Sequence, residues 1–230
     1  MGLALIDSIL DTFFPRFCVR CGRRLILSES SVCAHCLMEL PRFDGWDSPT
    51  DNLLVRRYWG RGEVSEAVAY LHLLPHTSSA NIVYQFKYHD RPDVARDMGR
   101  LMAQEMAQFF KDKDVLVPVP LSRSRYIDRG YNQAEELARG ISAVTGMPVC
   151  GKALKRIRFK GSQTRLSDLE RMENTERAFE LTKYADRLQG KHVVIVDDVI
   201  TTGATTLACA GLLSKIEGVA VSVVAFGFVR

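Results

Sequence analysis

The run Val193–Thr206, VVIVDDVITTGATT, constrains this 230-residue chain more than any other segment. Val193 to Val196 is continuously apolar, which suits a strand buried on both faces of a parallel sheet. Asp197 and Asp198 follow at its carboxyl end, then Thr201-Thr202-Gly203-Ala204-Thr205, then a helical apolar stripe. Small residues let backbone N–H groups curl around an anion, and threonine hydroxyls add donors. The positive end of the following helix points at the same spot. The segment therefore reads as a phosphate cradle. A plain strand–turn–helix with acids at the strand end is the alternative.

Two adjacent carboxylates repel phosphate. They make sense if the ligand also carries neutral hydroxyls, or a cation bridging to more phosphate. A ribose 5-phosphate unit meets both demands, with hydroxyls for the acids and phosphate for the turn.

The rest of the chain predicts a soluble α/β protein. Segments read as strands, at Asp114–Pro118, Val149–Leu154, Val193–Val196 and Ala220–Phe228, alternate with segments read as helices. The helical readings are Val64–Leu74, Asn81–Tyr88, one long helix carrying Val94 through Phe109, Tyr131–Thr145 and Thr205–Ile216. Ligands of such sheets bind outside the carboxyl ends of the strands. No stretch of 18 or more apolar residues occurs, so no membrane span is expected. The N-terminus lacks a basic start and carries Asp7 and Asp11, a poor signal peptide. Its Leu3, Ile6, Leu10 and Phe13 fit a short amphipathic helix.

Four of the six cysteines form two knuckles, Cys18-x-x-Cys21 and Cys33-x-x-Cys36. This spacing matches a closed, structural tetrathiolate zinc site, with Gly22 placed for a tight turn. Two disulfides are the other reading, and a reducing compartment favours zinc. Cys209 falls on the stripe Cys209, Leu212, Leu213 and Ile216 and reads as core. The organisation that follows is 1–42 for the amphipathic helix and zinc module, 43–62 for a linker packed on the main body, and 63–230 for the α/β domain.

Two basic segments remain. Leu121–Gln133 carries Arg123, Arg125 and Arg129, and Lys155–Arg171 carries Arg156, Arg158, Lys160 and Arg165 with Gln163. Beside a phosphoribose cradle, arginine forks suit phosphate oxygens. The second segment reads as a mobile loop whose cations would close over a departing pyrophosphate. Net charge is only +4, which does not demand nucleic acid. No nucleophile–base dyad stands out.

The Val193–Thr205 pattern resembles the phosphoribosyl pyrophosphate signature of type I phosphoribosyltransferases. The knuckles, Lys87-Tyr88, Val117–Leu121, Arg129-Gly-Tyr-Asn-Gln133, Gln163-Thr164 with Leu166, Glu170-Arg171, Asn174, Ala178-Phe179 and DDVITTGAT occur in order. Together they resemble the ComF/GntX family, a double zinc ribbon plus a type I phosphoribosyltransferase-like domain, over nearly the whole chain. The resemblance implies a parallel sheet flanked by helices with a small zinc-ribbon module. It also implies a cytoplasmic bacterial protein linked to DNA uptake in competence. Asp197 and Asp198 would hold ribose hydroxyls, directly or through magnesium. Thr201, Thr202, Gly203, Ala204 and Thr205 would hold the 5-phosphate, and the loop after Pro120, with Arg123 and Arg125, would face the pyrophosphate. A helical hood around Tyr70–Ser79, which lacks the family's glycine after the tyrosine, would choose the acceptor. Two functions follow: phosphoribosyl transfer to an acceptor left open, or a non-catalytic phosphoribosyl pyrophosphate sensor contacting single-stranded DNA and competence proteins.

Overall fold

The computed structural model describes residues 14–74, 77–157 and 178–230. The N-terminal amphipathic stripe and the cations Arg158, Lys160 and Arg165, with Gln163, lie outside these residues. The main sheet has four parallel strands: β1 (Glu66–His72), β2 (Val115–Pro118), β5 (His192–Ile200) and β6 (Ala220–Phe228), in the order β1-β6-β5-β2. A separate antiparallel pair joins β3 (Leu154–Arg156) to β4 (Phe179–Leu181). Side chains alternate across the sheet. Val194, Val196, Val224, Phe226, Val68 and Tyr70 face one core, whereas Val193, Ile195, Val221, Val223, Ala67 and Ala69 face the other. The first core is covered by helices α2 (Ser78–Tyr88), α3 (Pro92–Glu105), α4 (Ala107–Phe110) and α6 (Gln133–Thr145). The second is covered by α7 (Ala204–Leu213) and the β3–β4 pair.

Several sequence readings are corrected. Val64–Leu74 is not a helix: it contains β1, whose Ala67–Leu71 run is fully buried. A short apolar run buried on both faces has no period to separate strand from helix, and its alanines favour helix by propensity alone. The hood expected around Tyr70–Ser79 is thus, over its first residues, the end of β1 at one edge of the sheet. The long helix breaks at Met106 (φ −105°, ψ 29°), giving α3 and α4. The strand expected over 149–154 keeps only its two ends: Val149 makes one parallel bridge to Leu116, and Leu154 opens β3. The basic segment after Pro120 holds a helix, α5 (Arg123–Arg129), capped by the Ser122 hydroxyl and closed by Gly130 at φ 74°. Likewise, Lys155 and Arg156 belong to strand β3.

Segment 43–62 packs deeply. Phe43, Leu54, Val55 and Tyr58 are buried, and Trp46 stacks on Tyr70 at 5.6 Å. The cysteine module, which carries the short helix α1 (Ala34–Met38), is likewise continuous with the first core, to which Leu25, Val32 and Leu40 belong. The Arg20 guanidinium donates to Ser78 Oγ at 3.2 Å, and Ser31 donates to Asp97.

Connections fix where a ligand can sit. From β2 the chain passes to the α6 face; from β5 it passes to the α7 face. Neighbouring strands whose exits diverge leave a crevice at their carboxyl ends. On the α6 face, helices α3 and α6 touch backbone to backbone. A Cβ at Gly140 would stand 2.1 Å from the Arg96 carbonyl oxygen, and one at Gly99 2.2 Å from that of Leu137. Gly140→Ala should therefore push the helices apart at a cost of roughly 1–3 kcal/mol, the scale of core overpacking. Urea unfolding measures it; an unchanged midpoint would contradict the helix contact.

Candidate functional site

The crevice begins where β2 stops. Pro118 pairs with Val196, and the Val119 N–H closes the last link to the Val196 carbonyl at 2.9 Å. β5 runs on beside β6 as far as Ile200. Asp197 and Asp198 are therefore the first β5 residues past the end of β2. A cleft of about 270 Å³ opens there, walled by Asp197, Asp198, Thr205, the Val119–Leu121 turn, Lys87, Arg125, Arg129 and Arg156. Four cations and two carboxylates share this space, a composition suited to an anion that also carries hydroxyls or a metal.

The two acids are held differently. Asp198 pairs with Lys87 at 2.9 Å, and both side chains are mostly buried. Asp197 accepts the Asp198 backbone N–H at 2.8 Å. Burial first, and the Asp198 carboxylate second, push Asp197 up to about 7. Across the cleft, burial and the neighbouring Arg125 guanidinium lower Arg156. Two guanidinium groups drawn together in this way would gain from an anion between them.

The Thr201–Thr205 turn is set by glycine. Gly203 has φ 77°, and its carbonyl accepts from the Thr206 hydroxyl at 2.9 Å. Thr206 also bonds the Tyr58 hydroxyl at 2.7 Å, and a Cβ on Gly203 would stand 3.2 Å from the Tyr58 ring. Segment 43–62 thus buttresses the turn from below. Ala204 and Thr205 then open α7, whose first N–H groups lack intrahelical partners. Thr201 and Thr202 are exposed at the rim.

Of the residues named from sequence, Asp197, Asp198, Thr205 and Arg125 line the cleft, whereas Thr201, Thr202, Gly203, Ala204 and Arg123 do not. Arg156, Lys87, Tyr88 and Asn132 line it too. The block Arg129–Gln133 is scaffolding for it. Tyr131 donates to the Phe86 carbonyl at 2.7 Å, and Arg129 donates to Gln133 at 3.0 Å. Asn132 caps α6 and donates to the Val119 carbonyl at 3.0 Å. His192 lies at the other end of β5, bonded to Ser222 at 2.7 Å, so it takes no part here.

A second cluster is formed by Cys18, Cys21, Cys33 and Cys36, whose sulfur atoms all lie within 4.8 Å of one another. All are free thiols. Sulfurs about 2.3 Å from a tetrahedral zinc stand about 3.8 Å apart, so the set fits that ion. The Cys33 N–H donates to Cys18 Sγ at 3.4 Å, and Gly22 turns the first knuckle at φ 75°. Glu29 braces the second knuckle by accepting the Ala34 N–H at 2.8 Å.

Asp197 gives a pH signature. A carboxyl whose folded value is raised is penalised once the unfolded group ionises. Its contribution therefore favours folding below the unfolded value near 4, and is lost as pH rises from there to about 7. Asp197→Asn should remove that decline, so that the variant gains stability relative to the parent as pH rises from 4 to 7. Denaturation midpoints across this range test it; parallel profiles would contradict the assignment.

Residues 85–226 match the family model described as a phosphoribosyl transferase domain. Competence protein F of Haemophilus influenzae is 27% identical over 216 residues, covering 89% of this chain and 93% of that protein. Competence protein ComFC of Bacillus subtilis is 28% identical over 225 residues, covering 97% of this chain and 81% of that protein. DNA utilization protein YhgH of Salmonella typhi is 34% identical over 139 residues, covering 58% of this chain and 60% of that protein. The relatives named as competence proteins agree with the ComF/GntX resemblance read from the sequence. With the model match running from α2 to β6 across the cleft, the chain belongs to the phosphoribosyl transferase domain family.

Proposed function

We propose that the cleft binds phosphoribosyl pyrophosphate with magnesium, and that the chain transfers the phosphoribosyl group to an acceptor in a process tied to DNA uptake. The observation that carries the reading is the meeting of Asp197 and Asp198 with Arg125, Arg156 and the α7 N-terminus in one cleft. The Thr201–Thr205 turn and the start of α7 would take the 5-phosphate, as helix N-termini do. Asp197 and Asp198 would take ribose hydroxyls or the metal, and the arginines the pyrophosphate. Magnesium, with its preference for carboxylate and phosphate oxygens, would neutralise charge on the leaving group. The protein's part is to orient the sugar and to hold cations where negative charge grows as pyrophosphate departs. The link to DNA uptake rests on relatives named as competence and DNA utilization proteins. A cytoplasmic setting follows from the ComF/GntX resemblance and from free thiols suited to zinc.

The second reading, a sensor that contacts single-stranded DNA, draws on one feature. Tyr84 and Tyr88 lie exposed 5.2 Å apart beside Arg129, whose guanidinium stands 5.4 Å over Tyr88. Aromatic faces next to cations suit stacked bases. Pyrophosphate release with a panel of acceptor bases separates the two: turnover supports transfer, and tight binding without turnover supports the sensor.

Calorimetry tests the shared claim. Asp198→Asn should cost about 1.5–3 kcal/mol of phosphoribosyl pyrophosphate binding, one charge-assisted contact, or roughly tenfold to hundredfold in affinity. No heat from the parent at millimolar ligand would overturn the reading.

We also propose that Cys18, Cys21, Cys33 and Cys36 hold one structural zinc. Elemental analysis should find one zinc per chain. Cys33→Ser should lose it and lower the melting temperature of the whole protein, because the module shares the first core. A metal-free protein purified without chelator would contradict the assignment.

A further inference from the structure

Lys87 is the residue whose placement the phosphoribose reading does not explain. Its ammonium stands 2.9 Å from Asp198 Oδ1 inside the cleft, with only 19% of its side chain exposed. Both neighbours fix it there. Phe86 is fully buried edge-on against Phe226 at 5.5 Å, and the Phe86 carbonyl accepts from Tyr131 at 2.7 Å. Tyr88, exposed at the cleft wall, carries the Arg129 guanidinium 5.4 Å over its ring. With the helix end pinned on each side, Lys87 reaches into the cleft and onto the carboxylate that a metal or ribose would need.

We propose that Lys87 is an internal counter-ion that reserves the acidic pair for metal arriving already chelated by pyrophosphate. The inference rests on the reading above and deepens it. A bare divalent ion would have to shed water, which magnesium does reluctantly. It would also have to displace the ammonium and leave that charge partly buried without a partner. A metal–pyrophosphate chelate removes the second cost, because its phosphate oxygens offer Lys87 a new partner in the same cleft. Lys87 thus selects the chelate over the free ion, and it is a specificity-determining residue for substrate binding.

The test uses the full-length, zinc-replete protein at pH 8 and titrates manganese(II) alone by electron paramagnetic resonance. Lys87→Met should bind the bare ion at least tenfold more tightly than the parent, and Lys87→Arg, which keeps the charge, should behave as the parent. Adding Asp198→Asn to Lys87→Met should erase the gain, which excludes metal bound elsewhere. In a parallel titration, the affinity of Lys87→Met for the magnesium complex of phosphoribosyl pyrophosphate should fall roughly tenfold. If Lys87→Met fails to melt cooperatively, Lys87→Gln replaces it. Bare-ion affinity within twofold of the parent in a folded variant overturns the proposal, as does an equal gain in Lys87→Arg. Silence of the parent toward phosphoribosyl pyrophosphate overturns the parent reading instead. The manganese arm reports on Lys87 either way.

Discussion

Everything at the candidate site follows from β5 outrunning β2. Up to Val196 the strand is covered on both faces and paired on both edges, and it can be only aliphatic. One residue later the β2 edge is gone, while β6 still holds the other edge to Ile200. Polar side chains become tolerable there, and they remain on a rigid strand. The diverging exits of β2 and β5 keep the space open between the α6 and α7 faces. A ligand site built on such a sheet edge inherits the precision of the strand.

Electrostatics then decide what the space accepts. Asp197 and Asp198 sit side by side, with Lys87 and the Asp198 N–H offsetting part of their repulsion. Arg125 and Arg156 stand close enough in the same cleft for one charge to disfavour the other, and Arg156 also feels Asp197. A ligand that brings hydroxyls or metal to the acids and phosphate to the arginines satisfies both sets. The Arg129–Gln133 block serves this arrangement chiefly as a frame, with Arg129 and Asn132 also lining the cleft. It ties the end of α2, the exit of β2 and the start of α6 into one frame, so Lys87 and Val119 keep fixed positions on either side of the cleft.

Sequence reasoning found the strand, the acids and the turn because each obeys a local rule. Val193–Val196 is long and purely aliphatic, and Gly203 sits where positive φ is needed. It missed β1, because Ala67–Leu71 is apolar throughout and its fate was decided by pairing with β6, where Glu66 meets Ser222 from a part of the chain that no sequence window covers. It missed the role of Lys87 for a related reason. A lysine at a helix end is ordinarily solvated, and only the return of β5 places a carboxylate beside it. Arg156 was read as part of a mobile loop, yet pairing with β4 carries it to the cleft wall. Arg123 shows the converse: in a helix of seven residues, Arg125 faces the cleft and Arg123 does not line it. The tyrosine contact beneath Gly203 had no local signal, since Tyr58 and Thr206 are joined only in the folded chain.

The central claim is that a phosphoribosyl ligand occupies the β2–β5 crevice. Hydrogen–deuterium exchange with and without phosphoribosyl pyrophosphate and magnesium tests it most directly, because backbone N–H groups of the turn would be the phosphate donors. The account predicts slowed exchange confined to peptides spanning 197–206 and 119–132, with the Cys18–Cys36 module unchanged. Protection elsewhere, or none in these two segments at saturating ligand, would contradict it.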